Sequence, residues 1–109
     1  MSASTPTPEQ LKEISRFFRL LSEPARLQLI CELRSSPSDV QTLIDKTGFS
    51  QSHISRQLSQ LSHAGLVRSD RQGQRLIFHA DDPLVEDLCS LVSQRLRQTL
   101  EDKLETFKA

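Results

Sequence analysis

The sequence predicts a mainly α-helical domain with one small β-hairpin, in the order four helices, hairpin, helix. Two patterns carry that prediction. Apolar residues recur at helical spacing from residue 11 to 61 and again from 84 to 107. Between those stretches the period changes around a glycine-bearing turn, as in a two-stranded ribbon. Size sets the rest: 109 residues with 36% hydrophobic content make one domain around one core.

The elements follow in chain order. Residues 1–6 are rich in Ser, Thr and Pro and are expected to be mobile, leaving 7–109 as the domain. Thr7 can cap the first helix, Pro8 suits its first turn and Gln10 completes a capping box. Leu11, Ile14, Phe18 and Leu21 then form a stripe that Phe17 and Leu20 widen. Ser22-Glu23-Pro24 breaks the helix and starts a second, to about Arg34, with Leu27, Ile30 and Leu33 inward. Ser36-Pro37-Ser38-Asp39 reads as a cap-plus-proline start. It opens a short third helix carrying Val40, Leu43 and Ile44, which Gly48 ends. Ser50 caps a fourth helix whose buried edge is Ile54, Leu58 and Leu61, and Gly65 stops it.

Leu66–Asp70 and Arg75–His79 then read as strands, with Gln72-Gly73 as the tight turn between them. Asp82-Pro83 starts the last helix, about 83–107, with Asp81 and Asp82 suited to its N-terminal dipole. Its apolar positions run from Leu84 through Leu88, Leu91, Leu96 and Leu100 to Phe107. At 1.5 Å per residue it is roughly 37 Å long, more than so small a core can cover. Its distal half therefore calls for a second copy of the chain.

Composition excludes several classes. No apolar run approaches the roughly 20 residues of a membrane span. The N-terminus has neither the basic start nor the apolar core of a secretory signal. Two cysteines make no disulfide scaffold, so the expected location is the cytoplasm. No phosphate-binding glycine loop and no supported Ser/His/Asp set is present, so no enzyme and no cofactor is expected. Fourteen basic residues balance fourteen acidic ones. The total hides an asymmetry: residues 50–80 carry Arg56, Arg68, Arg71 and Arg75 against Asp70 alone, a net +3, and residues 81–109 carry a net −3. A local positive patch steers an anionic partner whatever the total charge.

The third and fourth helices, joined by Thr47-Gly48-Phe49-Ser50, fit a helix-turn-helix, whose second helix enters the DNA major groove N-terminal end first. Its outward positions are Ser50, Gln51, Ser52, His53, Ser55, Arg56 and Gln57: all can hydrogen-bond and none is acidic. Glutamine pairs with adenine, arginine with guanine, and serine or histidine with base edges or phosphate. The hairpin adds Arg68, Arg71, Gln72 and Arg75 for phosphate or minor-groove contact.

These residues carry a resemblance. Leu20-Leu21-Ser22-Glu23-Pro24-Ala25-Arg26-Leu27 resembles the "L-x-x-P-x-R-L" opening of ArsR/SmtB-type repressors. Gly48-Phe49-Ser50-Gln51-Ser52-His53-Ile54-Ser55-Arg56-Gln57-Leu58 is similar to that family's "G-[LF]-S-Q-S-x-[VI]-S-x-H-L" recognition helix, with Gln57 in place of the usual histidine. Leu61 to Val67 matches "L-x-x-A-G-L-V", and Arg71 to Arg75 matches its wing. The resemblance covers residues 11–96 and implies a winged helix-turn-helix repressor. It also implies a homodimer formed through the first and last helices and a pseudo-palindromic double-stranded DNA operator.

The inducer has no clear signature. Where many relatives bind metal through "E-L-C-V-x-D-L", this chain has Ser36–Leu43 without cysteine or histidine. The last-helix zinc pattern, counted from Asp82, meets Leu84, Arg95 and Gln98, so no metal site is expected. Cys31 occupies the place of the second-helix cysteine in the sulfide- and persulfide-responsive branch, while Cys89 falls about two turns before that branch's second cysteine. Both cysteines border apolar stripes, so packing and thiol sensing are both open readings. His53 belongs with the DNA-facing set, and His63 and His79 suit solvated or capping roles. The rival from another class is a winged-helix protein–protein module without DNA binding, which would want an apolar surface on the fourth helix.

Overall fold

A computed structural model describes residues 4–108; of the segment expected to be mobile, residues 1–3 lie outside the described residues. Five helices and a two-stranded antiparallel sheet follow in the expected order. Helix α1 spans Pro8–Leu21. Its capping box is closed: Thr7 Oγ1 accepts the Gln10 N–H at 3.2 Å and Gln10 Oε1 accepts the Thr7 N–H at 2.8 Å. Phe17, Leu20 and Leu21 pack against the core, whereas Leu11, Ile14 and Phe18 stay exposed. Helix α2, Pro24–Ser35, buries Leu29, Ile30 and Leu33.

Helix α3, Val40–Thr47, starts later than the cap-plus-proline reading places it. Asp39 is the cap, its Oδ1 accepting the Thr42 N–H at 2.8 Å. Ser38 instead exchanges backbone hydrogen bonds with Phe78, at 2.8 and 3.2 Å, forming an isolated bridge beside the sheet. The backbone around Ser38 is thereby satisfied by pairing and cannot enter a helix. Gly48 at φ +75° ends α3, and Ser50 Oγ accepts the His53 N–H to open α4, Gln51–His63.

Strands β1, Arg68–Gln72, and β2, Arg75–His79, pair from Arg68↔His79 to Gln72↔Arg75. The turn is therefore Gly73-Gln74, one residue beyond the expected Gln72-Gly73. Gly73 takes φ +65° at the first central position, where a type II′ hairpin places its glycine. Leu66 and Val67 precede the strand and are core residues, buried to 5% and 4% exposure. Helix α5, Leu84–Thr106, begins where Asp82 Oδ1 accepts the Leu84 N–H at 3.0 Å.

The core is one cluster, with Leu29, Leu33, Leu43, Ile54, Leu58 and Leu61 fully buried. Burying each contributes about 1.5–3 kcal/mol. Val85 and Cys89 bring only the start of α5 to this core. Beyond it Leu91, Val92, Leu96, Leu100 and Leu104 are exposed, and the helix stretches the chain to 60 × 40 × 24 Å. Arg34 fixes the base of that arm. Its Nε donates to Glu86 at 2.7 Å, and its Nη1 donates to the Ala80 and Asp81 carbonyls at 3.0 Å each.

Candidate nucleic-acid interface

Two caps place α4. The Gly48 turn and the Ser50 cap project its first turn from the body, leaving Gln51, Ser52, Ser55 and Arg56 exposed. His53 is half-buried, its ring tilted against Phe49 at 5.1 Å between centroids. Ser50 Oγ is engaged by the cap and lies 3.4 Å from Ser52 Oγ.

Gln57 does not belong to this face. It is 5% exposed, and its Oε1 accepts the Arg26 Nε–H at 2.5 Å. The helical period gives the reason. Ile54, Gln57, Leu58 and Leu61 stand at i, i+3, i+4 and i+7, one inward stripe interrupted by a single polar residue. That spacing was available in the sequence as a signal for burial; the arginine partner, 31 residues away, was not.

All of β1 is exposed, and Arg71 and Gln72 stand at the hairpin tip. Arg68 and Arg75 are engaged. Arg68 pairs with Asp81 and lies 3.5 Å from Asp70, and Arg75 Nε sits 2.8 Å from Asp39 Oδ2. Arg56 and Arg71 make no ion pair among the described residues. Hydrogen bonds from Thr42 and then the Arg75 guanidinium hold the Asp39 carboxyl down at about 2. A hydrogen bond from His79, at 3.2 Å, leads the lowering of Asp70, and Arg68 adds to it. His79 thus supports β1 from inside the ribbon, while His63 Nδ1 lies 2.7 Å from the Ser59 carbonyl on the surface of α4.

Cys31 on α2 is exposed and Cys89 on α5 is half-buried; both are free. They line one cleft of about 670 Å³ between the two helices, together with Arg34, Glu86 and Arg97. Burial pushes the Cys31 thiol up, and Cys89, Glu32 and Glu86 push it further. Among the described residues no three His, Cys, Asp or Glu side chains gather as metal ligands. No described helix is long and apolar enough to cross a membrane.

Residues 23–69 match the family model described as bacterial regulatory protein, arsR family. The chain is 33% identical over 76 residues to the HTH-type transcriptional regulator NmtR of Mycobacterium tuberculosis, covering 70% of this chain and 63% of that protein. It is 35% identical over 77 residues to a probable mercury resistance operon repressor of Streptomyces lividans, covering 71% and 62%. The chain thus spans a little under two thirds of the length of these curated relatives. Among solved structures, M. tuberculosis Rv0081 superposes with a TM-score of 0.78 at 28% identity, covering 91% of this chain and 99% of that one. The fold is therefore the winged helix-turn-helix, with α3–α4 as the motif and β1–β2 as the wing.

Proposed function

We propose that the chain, whose residues 23–69 match the arsR family model, is a member of that family of bacterial regulatory proteins and a cytoplasmic, homodimeric repressor of transcription that binds a pseudo-palindromic operator. One observation carries the reading: the outer face of α4 is polar and free of acids, and the chain continues from it into an exposed arginine-bearing wing. Gln51, Ser52, His53, Ser55 and Arg56 read base edges, with Ser50 capping the helix they stand on. Arg71 and Gln72 meet the flanking backbone, and Arg68 and Arg75 join them by exchanging carboxylates for phosphates. Residues 7–109 act as one unit, with no catalytic step.

The dimer uses α1 and α5. Leu11, Ile14 and Phe18 on one and Leu91 to Leu104 on the other are exposed by 42–64%, apolar side chains that a second copy would take out of water. Two copies joined there present two α4 helices to successive major-groove faces. A shift assay on the duplex upstream of the protein's own gene tests the reading. Salt-sensitive binding by a dimer supports it, and no affinity for any duplex at low salt refutes it.

The releasing signal acts on the thiols, a reading supported by Cys31 and Cys89 lining one cleft at the root of the dimer arm. A peroxide takes the two electrons, its O–O bond breaking to leave two waters, as the two thiols lose their protons and join as a disulfide; a persulfide does the same as its S–S bond breaks to leave a thiol and hydrogen sulfide. Oxidant is expected to weaken operator binding in the wild type and to leave Cys31→Ser unaffected. An equal response in that variant sinks the thiol reading.

A further inference from the structure

The polar joint between α4 and the rest of the body has a role that the reading face does not account for. Helix α4 is held by the side chains of Ile54, Leu58 and Leu61, and apolar contact is non-directional. Among the described residues, one side-chain hydrogen bond links α4 to another helix, from Arg26 Nε to Gln57 Oε1 at 2.5 Å. The guanidinium is itself fixed. Its Nη1 donates to the Leu20 carbonyl of α1 at 3.1 Å, and its Nη2 lies 3.3 Å from the Glu23 carboxylate in the α1–α2 turn. Arg26 is 15% exposed in its side chain and Gln57 is 5% exposed. A charge-assisted bond in such surroundings is strong and demands a narrow geometry.

We infer that Gln57 is a positioning residue for DNA reading: through Arg26 it locks the rotation of α4 to the end of α1, and so contributes sequence specificity without touching DNA. The inference rests on the DNA-binding reading above. Ser55 and Arg56 directly precede Gln57 on the same turn, so a roll of α4 about its axis displaces them from base edges. Phosphate contacts tolerate such a roll, because they reward charge near the backbone and carry no sequence information. Helix α1 bears the exposed Leu11, Ile14 and Phe18, so the same bond joins the dimer surface to the reading helix.

The test compares an operator duplex selected in vitro by the wild-type protein with a scrambled duplex of equal length, at one salt concentration. Gln57→Met keeps the volume and removes the acceptor. Gln57→Asn keeps the amide but withdraws it by one methylene. Both are expected to lose roughly tenfold in operator affinity while scrambled affinity holds, the size of a charged hydrogen bond. Gln57→Glu, which restores an acceptor for Arg26, returns the operator-to-scrambled ratio to within about threefold of wild type. Arg26→Met combined with Gln57→Met is no worse than the poorer single variant, as coupled residues require. Thermal melting shows that each variant is folded; where Gln57→Met does not fold, the milder Gln57→Asn decides. An unchanged ratio in folded Gln57→Asn overturns the inference, as does an equal loss on both duplexes. A wild-type chain that selects no sequence overturns the DNA-binding reading itself, whereas selection with indifferent Gln57 variants overturns this inference alone.

Discussion

Consider Asp39→Asn, a substitution outside the reading helix. Asp39 Oδ1 caps α3 through the Thr42 N–H, while Oδ2 holds Arg75 of the wing at 2.8 Å. Asparagine caps about as well as aspartate, so α3 persists and only the charge facing Arg75 is lost. Arg75 is 61% exposed, and an exposed pair of this kind is worth about 0.2–1 kcal/mol. A DNA phosphate has to displace it once in each protomer. Removing it from both therefore tightens binding by about 0.4–2 kcal/mol, roughly two- to thirtyfold. Arg75 meets its phosphate in both proteins, so the slope of log affinity against log salt is expected to stay the same. Fluorescence anisotropy of a labelled duplex across a salt series reads both quantities. Arg75→Ala weakens binding and flattens that slope by about 0.9 per protomer. Equal or weaker binding by Asp39→Asn at every salt concentration, with helical content unchanged, refutes the idea that the carboxylate competes with DNA.

Other outcomes follow from the same geometry. The Asp39 carboxyl is lowered from 3.8 to about 2, so the stability it contributes is present above 3.8 and is lost as pH falls toward 2. Melting of wild type against Asp39→Ala over that window should show the gap between them closing. Because burial first, and then Cys89, Glu32 and Glu86, raise the Cys31 thiol, its alkylation rate should keep climbing with pH past the point where a free cysteine levels off, as followed by mass spectrometry. Leu58→Ala empties a site that is 2% exposed and should cost about 2–5 kcal/mol in urea unfolding. Leu96→Glu, on a residue 64% exposed in the single chain, should leave the fold intact and shift the sedimenting species from dimer to monomer.

The helices were legible because their signals are local. The Thr7–Gln10 box, the Ser50 cap and the glycines after α3 and α4 each act within four residues, and each stands where its chemistry predicts. The start of α3 was less legible, since Pro37 imitates a helix start while the backbone around Ser38 answers to Phe78, forty residues away. Of the six α4 positions expected to face DNA, Gln51, Ser52, Ser55 and Arg56 are exposed, His53 is half-buried and Gln57 is buried. Gln57 departs because its polarity argues for the surface while its place on the Ile54, Leu58 and Leu61 stripe argues for burial, and the partner that decides between them, Arg26, lies on another helix. The engagement of Arg68 and Arg75 was likewise invisible, since Asp81 and Asp39 reach them only through the fold.

Local chemistry in the chain was thus enough to determine the order of elements, the helix-turn-helix, the wing and the apolar stripe of α5 that the core leaves uncovered. Periodicity, caps and turn residues depend on neighbours a few positions apart, and those neighbours are written side by side. Tertiary structure alone decided which polar groups stay free. It buried Gln57 against Arg26, occupied two wing arginines with carboxylates and brought two cysteines from distant helices to one cleft. Those outcomes turn on distances across the fold, where a hydrogen bond or an ion pair is made or lost within an ångström and sequence separation carries no information.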